Sequence, residues 1–323
     1  MRRLGSWLAF VACGLLTAVA GAAAQQAYPS RPIKILTPYP PGGASDITTR
    51  IFANALPEIL GQPVVVENKV GGGTNIAAEA AARSAPDGYT LYLANFASHA
   101  VNRHLFKRLP FDPIKDFTHV AMMIRVPMFL CVRADSPHKS VTDLIEFGRQ
   151  NPGKLTYGTP GNGSPPHISG EQLKQIGKFD ALHVPYKGVA EAAADMMAGQ
   201  IDFMFDAAII AQHRAGKVRC IGVTSKEAWP TAPDVPPLDK TGAPGFDLLA
   251  FFGIVGPANL PKGIVDKLNA AFVAVANKPE VIERLKVAAV VPFPASLKET
   301  QDFLTDMDQR WGAVVKASGA TVD

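Results

Sequence analysis

Four short glycine-rich stretches, at residues 40–45, 71–74, 161–164 and 187–189, carry most of the chemistry that this sequence offers. Each follows an apolar run and precedes a helical pattern. Glycine lets the backbone approach a ligand closely. The start of a helix presents unpaired N–H groups at the positive end of its dipole, a ready anion site. In open α/β sheets, ligands bind beyond the carboxyl ends of the strands. Two such turns from each half of the chain, facing each other, would hold a di-anion through backbone alone. A single glycine-rich turn is ordinary connection chemistry; four in register make a binding pattern. Neither the 39–46 loop nor the 161–164 loop holds Arg or Lys. Lys187, the nearest cation, is expected to point out of the cleft.

The side chains of these turns narrow the chemistry further. Asp46 stands where it could meet a ligand ammonium or hydroxyl, or cap its own helix, and capping is the commoner use. Asn95 and Ser98 follow the third strand and Asp206 follows a strand of the second half, so all three are expected at the cleft. In the second turn, the N–H groups of Gly163 or Ser164 and the Ser164 hydroxyl are expected to bond a carboxylate. Replacing Ser164 by Ala should then weaken binding while leaving the empty protein's melting temperature nearly unchanged. His167 lies just after Ser164, but no Gly-x-Ser-x-Gly elbow surrounds it. A cleft-lining or capping role is expected rather than a general base. No His pair has zinc-helix spacing, and no P-loop or dinucleotide fingerprint occurs. No catalytic residue, metal or cofactor is therefore expected. A hydrolase remains the less favoured alternative, and a sensor that signals to a membrane receptor would use the same site.

The elements that must position these turns alternate. Short apolar strands are predicted at 33–37, 64–66 and 90–94, with helices at 46–60 and 75–84, which implies parallel sheets covered by helices. A second series follows. It opens with a helix at Ser140 and Asp143 in capping-box spacing, and continues with strands near 156, 183–185, 201–205 and 218–224 and helices at 167–176 and 190–198. The 120–132 run is long for one strand and is broken by Pro127, so it should leave one sheet for another. The 249–255 run is the expected return crossing, after a proline-rich surface connection at 228–245. Pro261 suits a first helical position. Ser296 and Glu299 have capping spacing for a last helix, whose Phe303, Met307, Trp311 and Val314 form a core stripe. The expected organisation is a first lobe of residues 26–125 plus 249–323 and an inserted second lobe of residues 126–248.

With 323 residues and 47% hydrophobic content, the chain is long enough for two such lobes. Its net charge of +4 comes without a basic run, so nucleic acid is a poor partner. Arg2 and Arg3, the apolar 8–19 run and Ala22-Ala23-Ala24 read as a cleavable secretory signal over residues 1–24. Cys13 falls within it and is read as a signal residue rather than a lipidation site. A periplasmic location is expected. The remaining cysteines, Cys131 and Cys220, each lie in an apolar strand-like run, so buried small hydrophobes are their expected role, with a bridge as the alternative that export permits.

Several segments together resemble the substrate-binding proteins of tripartite tricarboxylate transporters, the Bug or TctC-like family. They are Tyr28-Pro29-Ser30-Arg31-Pro32, the run Pro38-Tyr39-Pro40-Pro41-Gly42-Gly43-Ala44-Ser45-Asp46, Ala85-Pro86-Asp87-Gly88-Tyr89-Thr90, Leu109-Pro110-Phe111-Asp112-Pro113, residues 157–167, Val184-Pro185-Tyr186-Lys187-Gly188 and Gly199-Gln200-Ile201-Asp202. The resemblance covers essentially the whole mature chain. It implies an α/β fold of the type II periplasmic binding-protein kind, with two lobes of mixed, mostly parallel sheets around a ligand cleft. It also implies a small carboxylate ligand (an organic, amino or aromatic acid), a membrane permease as partner, and action as a monomer. Carried over to this chain, the ligand-binding residues would be Tyr39, Pro41, Gly42, Gly43, Ala44, Ser45 and Asp46 from one lobe, with Asn95 and Ser98. From the other they would be Gly161, Asn162, Gly163, Ser164, His167, Val189 and Asp206. Departures occur where Asn68-Lys69-Val70-Gly71-Gly72-Gly73 replaces a more usual Asn-Arg-Pro-Gly-Ala-Gly, at Phe251-Phe252-Gly253, and after Gly188, where proline is frequent and Val189 stands here. The last change bears on which carboxylate fits.

Overall fold

The computed structural model describes residues 28–287, 290–318 and 321–322. The expected secretory signal, with Cys13, lies outside the described residues. Among the described residues, no helix is long and apolar enough to cross a membrane.

Two sheets organise the chain. The first contains β1 (Ile33–Thr37), β2 (Val64–Asn68), β3 (Thr90–Asn95), β4 (Phe117–Pro127), β10 (Leu249–Pro257) and β11 (Val291–Pro292), in the order β11-β4-β10-β3-β1-β2. The second contains β5 (Phe129–Arg133), β6 (Leu155–Thr159), β7 (Ala181–Pro185), β8 (Phe203–Asp206) and β9 (Val218–Val223), in the order β7-β6-β8-β5-β9. The βα units are parallel, and the strands joining the sheets are antiparallel to them. Helices follow as the alternation predicts: α1 (Ala44–Ala55), α2 (Asn75–Ala82), α3 (Val141–Gln150), α4 (Pro165–Gly177), α5 (Val189–Met197) and α6 (Ile210–Arg214). At the end of the chain come α7 (Lys262–Ala276), α8 (Pro279–Val287) and α9 (Leu297–Ser318). Ser140 and Asp143 close the reciprocal capping box of α3, and Ser296 and Glu299 exchange the equivalent bonds before α9. On α9, Met307, Trp311 and Val314 are buried, as their spacing predicts. Pro261 stands one residue earlier than expected, as the cap before α7.

The first crossing lies at Met128, between β4 and β5. The 249–255 run does not cross, contrary to the sequence expectation. All of β10 is held in the first sheet, between β3 and β4, with Leu249 opposite Pro127. The return occurs one residue earlier. Thr224, fully buried at the end of β9, holds both passages together. Its hydroxyl accepts from Met128 N–H (2.8 Å), its N–H donates to Met128 C=O (3.0 Å), and its C=O accepts from Leu248 N–H (3.1 Å).

The cysteines also differ from expectation. Both are buried, but they are bonded to each other. They stand directly opposite on the antiparallel pair β5 and β9, with Cα atoms 3.9 Å apart. A sequence shows that each lies in a strand; only the fold shows that the strands are neighbours.

Candidate functional site

Strand directions bring the glycine-rich turns to one place. Leu249 pairs with Pro127 and Phe252 with Asn95, so β3 and β4 end on the same edge of the first sheet, as do β1 and β2. In the second sheet, Phe129 at the start of β5 pairs with Asp206 at the end of β8. The carboxyl edges of both sheets therefore meet at the crossing and face each other. That edge arrangement is where α/β sheets take ligands. The two sides touch in this structure, since a Cβ added to Gly163 would lie 2.5 Å from Leu105 and 3.4 Å from Val101.

In the first lobe, the turn after β1 is built to leave N–H groups free. Its helix, α1, is capped by Gly43, which has no side chain to bond the first-turn donors of Ala44, Ser45 and Asp46. Asp46 is almost fully buried and braces the turn from behind. Its Oδ2 accepts from Gly42 N–H (3.0 Å) and Arg50 Nε (2.9 Å), and its Oδ1 accepts from Asn68 Nδ2 (2.8 Å). Asn68 also donates to Tyr39 C=O (2.9 Å). Burial pushes the Asp46 carboxyl up, but the bonds from Arg50, Gly42 and Asn68 outweigh it and hold it down at about 2. Asp46 therefore acts as a brace, with both oxygens engaged. Tyr39 is half-buried beside Phe252, and burial pushes its phenol up. Pro41 and Gly42 are exposed.

Asn95 and Ser98 are drawn inwards. Ser98 N–H donates to Asn95 Oδ1 (3.1 Å), Asn95 Nδ2 donates to Tyr92 Oη (3.2 Å), and Ser98 Oγ lies 2.9 Å from His99 Nδ1. Both are buried and shape the turn after β3 from within.

In the second lobe, the turn after β6 is more occupied than its sequence suggests. Gly163 N–H is given to His167 Nδ1 (3.1 Å), Ser164 Oγ donates to Gly161 C=O (2.7 Å), and His167 N–H donates to Ser164 Oγ (3.4 Å). Pro165 and Pro166 have no N–H to offer. The start of α4 thus has few donors left for an anion, which revises the expectation for Gly163 and Ser164. Gly161 and Asn162 stand at the outer part of this turn, half-buried and exposed respectively. His167 is buried, with its ring stacked on His183 at 4.2 Å between centroids. Burial lowers both imidazoles, and the His167 neighbour helps lower His183 to about 4. Asp206 Oδ1 accepts from Ala208 N–H (2.8 Å) and Ile209 N–H (3.0 Å). Burial raises its carboxyl against those bonds.

The better match to the first-lobe turn is at Gly188. It caps α5 without a side chain, and Glu191, three residues on, accepts from Lys187 N–H (3.3 Å). This repeats the arrangement at Gly43, where Asp46 accepts from Gly42 N–H. Both carry Gly-x-x-acid, with the acid reaching back to the residue before the cap. Val189 and Gly188 belong to this turn, one of the four glycine-rich stretches of the sequence; Gly188, Ala190 and Glu191 were not among the expected ligand-binding residues, though the repeated spacing could have found them. Lys187 is exposed. Among the described residues, no group of three or more metal-binding side chains occurs.

Comparison with known proteins now adds lineage to geometry. The Tripartite tricarboxylate transporter family receptor profile matches residues 48–320. The chain belongs to this family. BugT of Bordetella pertussis is 32% identical over 314 residues, covering 95% of this chain and 96% of that protein. A Pseudomonas protein encoded between tcbD and tcbE is 34% identical over 311 residues, covering 95% and 92%. Among solved structures, Rpa4515 of R. palustris with adipate is 32% identical, with a TM-score of 0.80 over 91% of this chain and 100% of that one. MatC from Rhodopseudomonas palustris with bound malate is 32% identical, with a TM-score of 0.76 over 89% and 100%. The tripartite tricarboxylate transporter receptors are binding proteins, and the fold here is theirs, the type II periplasmic binding-protein fold.

Proposed function

We propose that this chain captures a small dicarboxylate in the cleft outside the cytoplasm and delivers it to the permease of a tripartite tricarboxylate transporter. The observation that carries the reading is the pair of glycine-capped helix starts, at Gly43 and Gly188, one on each side of the cleft. Each offers unpaired N–H groups to a carboxylate at a positive dipole end. Their acids, Asp46 and Glu191, face backward to brace the turns. Adipate and malate, bound by two relatives, support a dicarboxylate as the ligand class.

The test uses space that only a ligand would fill. A Cβ at Gly188 would meet nothing within 4 Å, and one at Gly43 would meet only the Pro40 C=O at 3.6 Å. Neither residue has a positive φ (−165° and −75°). Gly43→Ala and Gly188→Ala should therefore leave the empty protein's melting temperature unchanged. In the wild type, the true dicarboxylate should raise that temperature with dose, starting the screen from adipate and malate. Losing close approach to one carboxylate should weaken calorimetric affinity about tenfold or more, since bonds to a charged group are worth roughly 1.5–3 kcal/mol. Wild-type affinity in both variants would place the ligand elsewhere. Uptake of that dicarboxylate by cells should fall when the chain is removed; unchanged uptake would separate it from the permease.

A further inference from the structure

A cavity of about 680 Å³ opens on the far side of the crossing from the glycine-rich turns. Strand order fixes its place. In the first sheet, β10 and β4 stand between the β3-β1-β2 side and β11; in the second, β5 stands between the β8-β6-β7 side and β9. The cavity is lined from the β11 side by Val291, Pro292 and Phe293, and from the segment after β9 by residues 225–230. Arg125 of β4 and residues of α9 complete it. Its walls thus come from both lobes.

The lining is amphipathic. Trp229, Phe303, Met307 and Leu249 supply apolar surface, and the Arg125 guanidinium lies over the Phe293 ring at 4.6 Å. Three cations reach the space. Arg310 is paired with Asp247 and Asp306, both at 3.0 Å, and Lys226 stands 3.6 Å from Asp247. Glu227 is taken by Lys240 at 2.8 Å. Among the described residues Arg125 makes no ion pair, Asp247 acting on it only at longer range, and its Nε is buried without a hydrogen-bond acceptor. Trp229 is also buried, and its Nε1 likewise has no acceptor. Buried donors in folded proteins are normally satisfied. An arginine stacked on an aromatic ring, with its fork uncommitted, suits a planar carboxylate. The volume lies in the range of small-molecule sites.

We propose that this cavity is a second binding site, for a single aromatic carboxylate, with the carboxylate on Arg125 and the ring among Trp229, Phe293 and Phe303. Lys226 at the rim adds attraction. The site is separate from the cleft and differs from it in kind, using a side-chain cation and apolar walls where the cleft uses backbone N–H groups.

The experiment titrates 2-naphthoate into the mature protein by calorimetry and by Trp fluorescence. Trp229 and Trp311 are the only tryptophans after the leader, and Trp229 lines the cavity. One equivalent should bind and change the emission. Arg125→Met should weaken it at least tenfold, and Lys226→Gln, at an exposed residue, severalfold. Millimolar adipate or malate should leave the naphthoate affinity unchanged. Absence of naphthoate binding, equal affinity in both variants, or competitive displacement by adipate or malate would each overturn the proposal. The dicarboxylate reading of the cleft is read out separately, by melting temperature with adipate and malate, so either can fail without the other.

Discussion

Replacing Asp46 by Asn separates the two roles that its position allows, ligand contact and brace. The carboxylate holds Gly42 N–H and Arg50 on one oxygen and Asn68 on the other. An amide of the same shape has one acceptor, so one of these buried donors must face an NH2 group. That costs about 1–3 kcal/mol. Loss of the charge on Arg50 adds about 0–1 kcal/mol, because the guanidinium is 45% exposed. An independent route agrees. Lowering the carboxyl from 3.8 to about 2 corresponds to roughly 2 kcal/mol at about 1.4 kcal/mol per unit. Because the folded carboxyl is depressed, this stabilisation is complete above the ordinary carboxyl range and is lost as pH falls towards about 2. The empty Asp46→Asn variant should therefore melt roughly 4 °C below wild type at pH 7. The difference should shrink between pH 4 and pH 2. If the loop must then be ordered by the ligand, the same energy transferred to binding weakens it up to about thirtyfold. Calorimetric melts across pH, with and without the dicarboxylate, read both quantities. An empty variant that melts as wild type while binding is lost would refute the brace and make Asp46 a ligand contact.

Three further outcomes follow from the second lobe. Ser164→Ala removes the cap of α4 and the bond to Gly161, so the empty protein should lose about 1 kcal/mol, visible in denaturant titration, rather than keep the unchanged melting temperature that the sequence suggested. The stacked pair His167 and His183 is held neutral, so stability should be full above about pH 6.5 and decline towards pH 4 as the rings are forced to charge; His183→Gln should flatten that decline in pH-dependent melts. Replacing both Cys131 and Cys220 by Ala opens a closure spanning 89 residues, and should lower unfolding free energy by roughly 2–4 kcal/mol; an unchanged denaturation midpoint would contradict a bond formed in the mature protein.

How far the sequence reached depends on whether a residue's partners are near it in the chain. The alternation of strands and helices, the capping boxes at Ser140 and Ser296 and the stripe on α9 are local, and they are where the sequence puts them. The break at Pro127 was legible because proline marks it in the run itself. The return crossing was not. Leu248 is assigned to it by a bond to Thr224, and nothing near Leu248 says that β10 must fill the gap between β3 and β4. The same holds for the disulfide, whose two halves become neighbours only through the order of β5 and β9. At the site, the four turns were found by their glycines, but which turn of the second lobe takes the carboxylate was carried over from the family resemblance. Gly161-Asn162-Gly163 was expected to hold one carboxylate, yet Pro165, Pro166 and the His167 ring use or remove its donors. Gly188, in the fourth of those turns, caps α5 with no side chain, so of the two second-lobe helix starts it is the one whose first-turn N–H groups are uncovered. The distinguishing signal was the acid three residues later: Asp46 after Gly43 and Glu191 after Gly188. An acid there reaches back to brace the turn and leaves the helix start open, whereas a hydroxyl at the cap, as in Ser164, closes it. Under the proposed function, a bare cap followed by an acid at the third residue is what marks a glycine-rich turn as a carboxylate site, and on that proposal the cleft's second half belongs to α5 rather than α4.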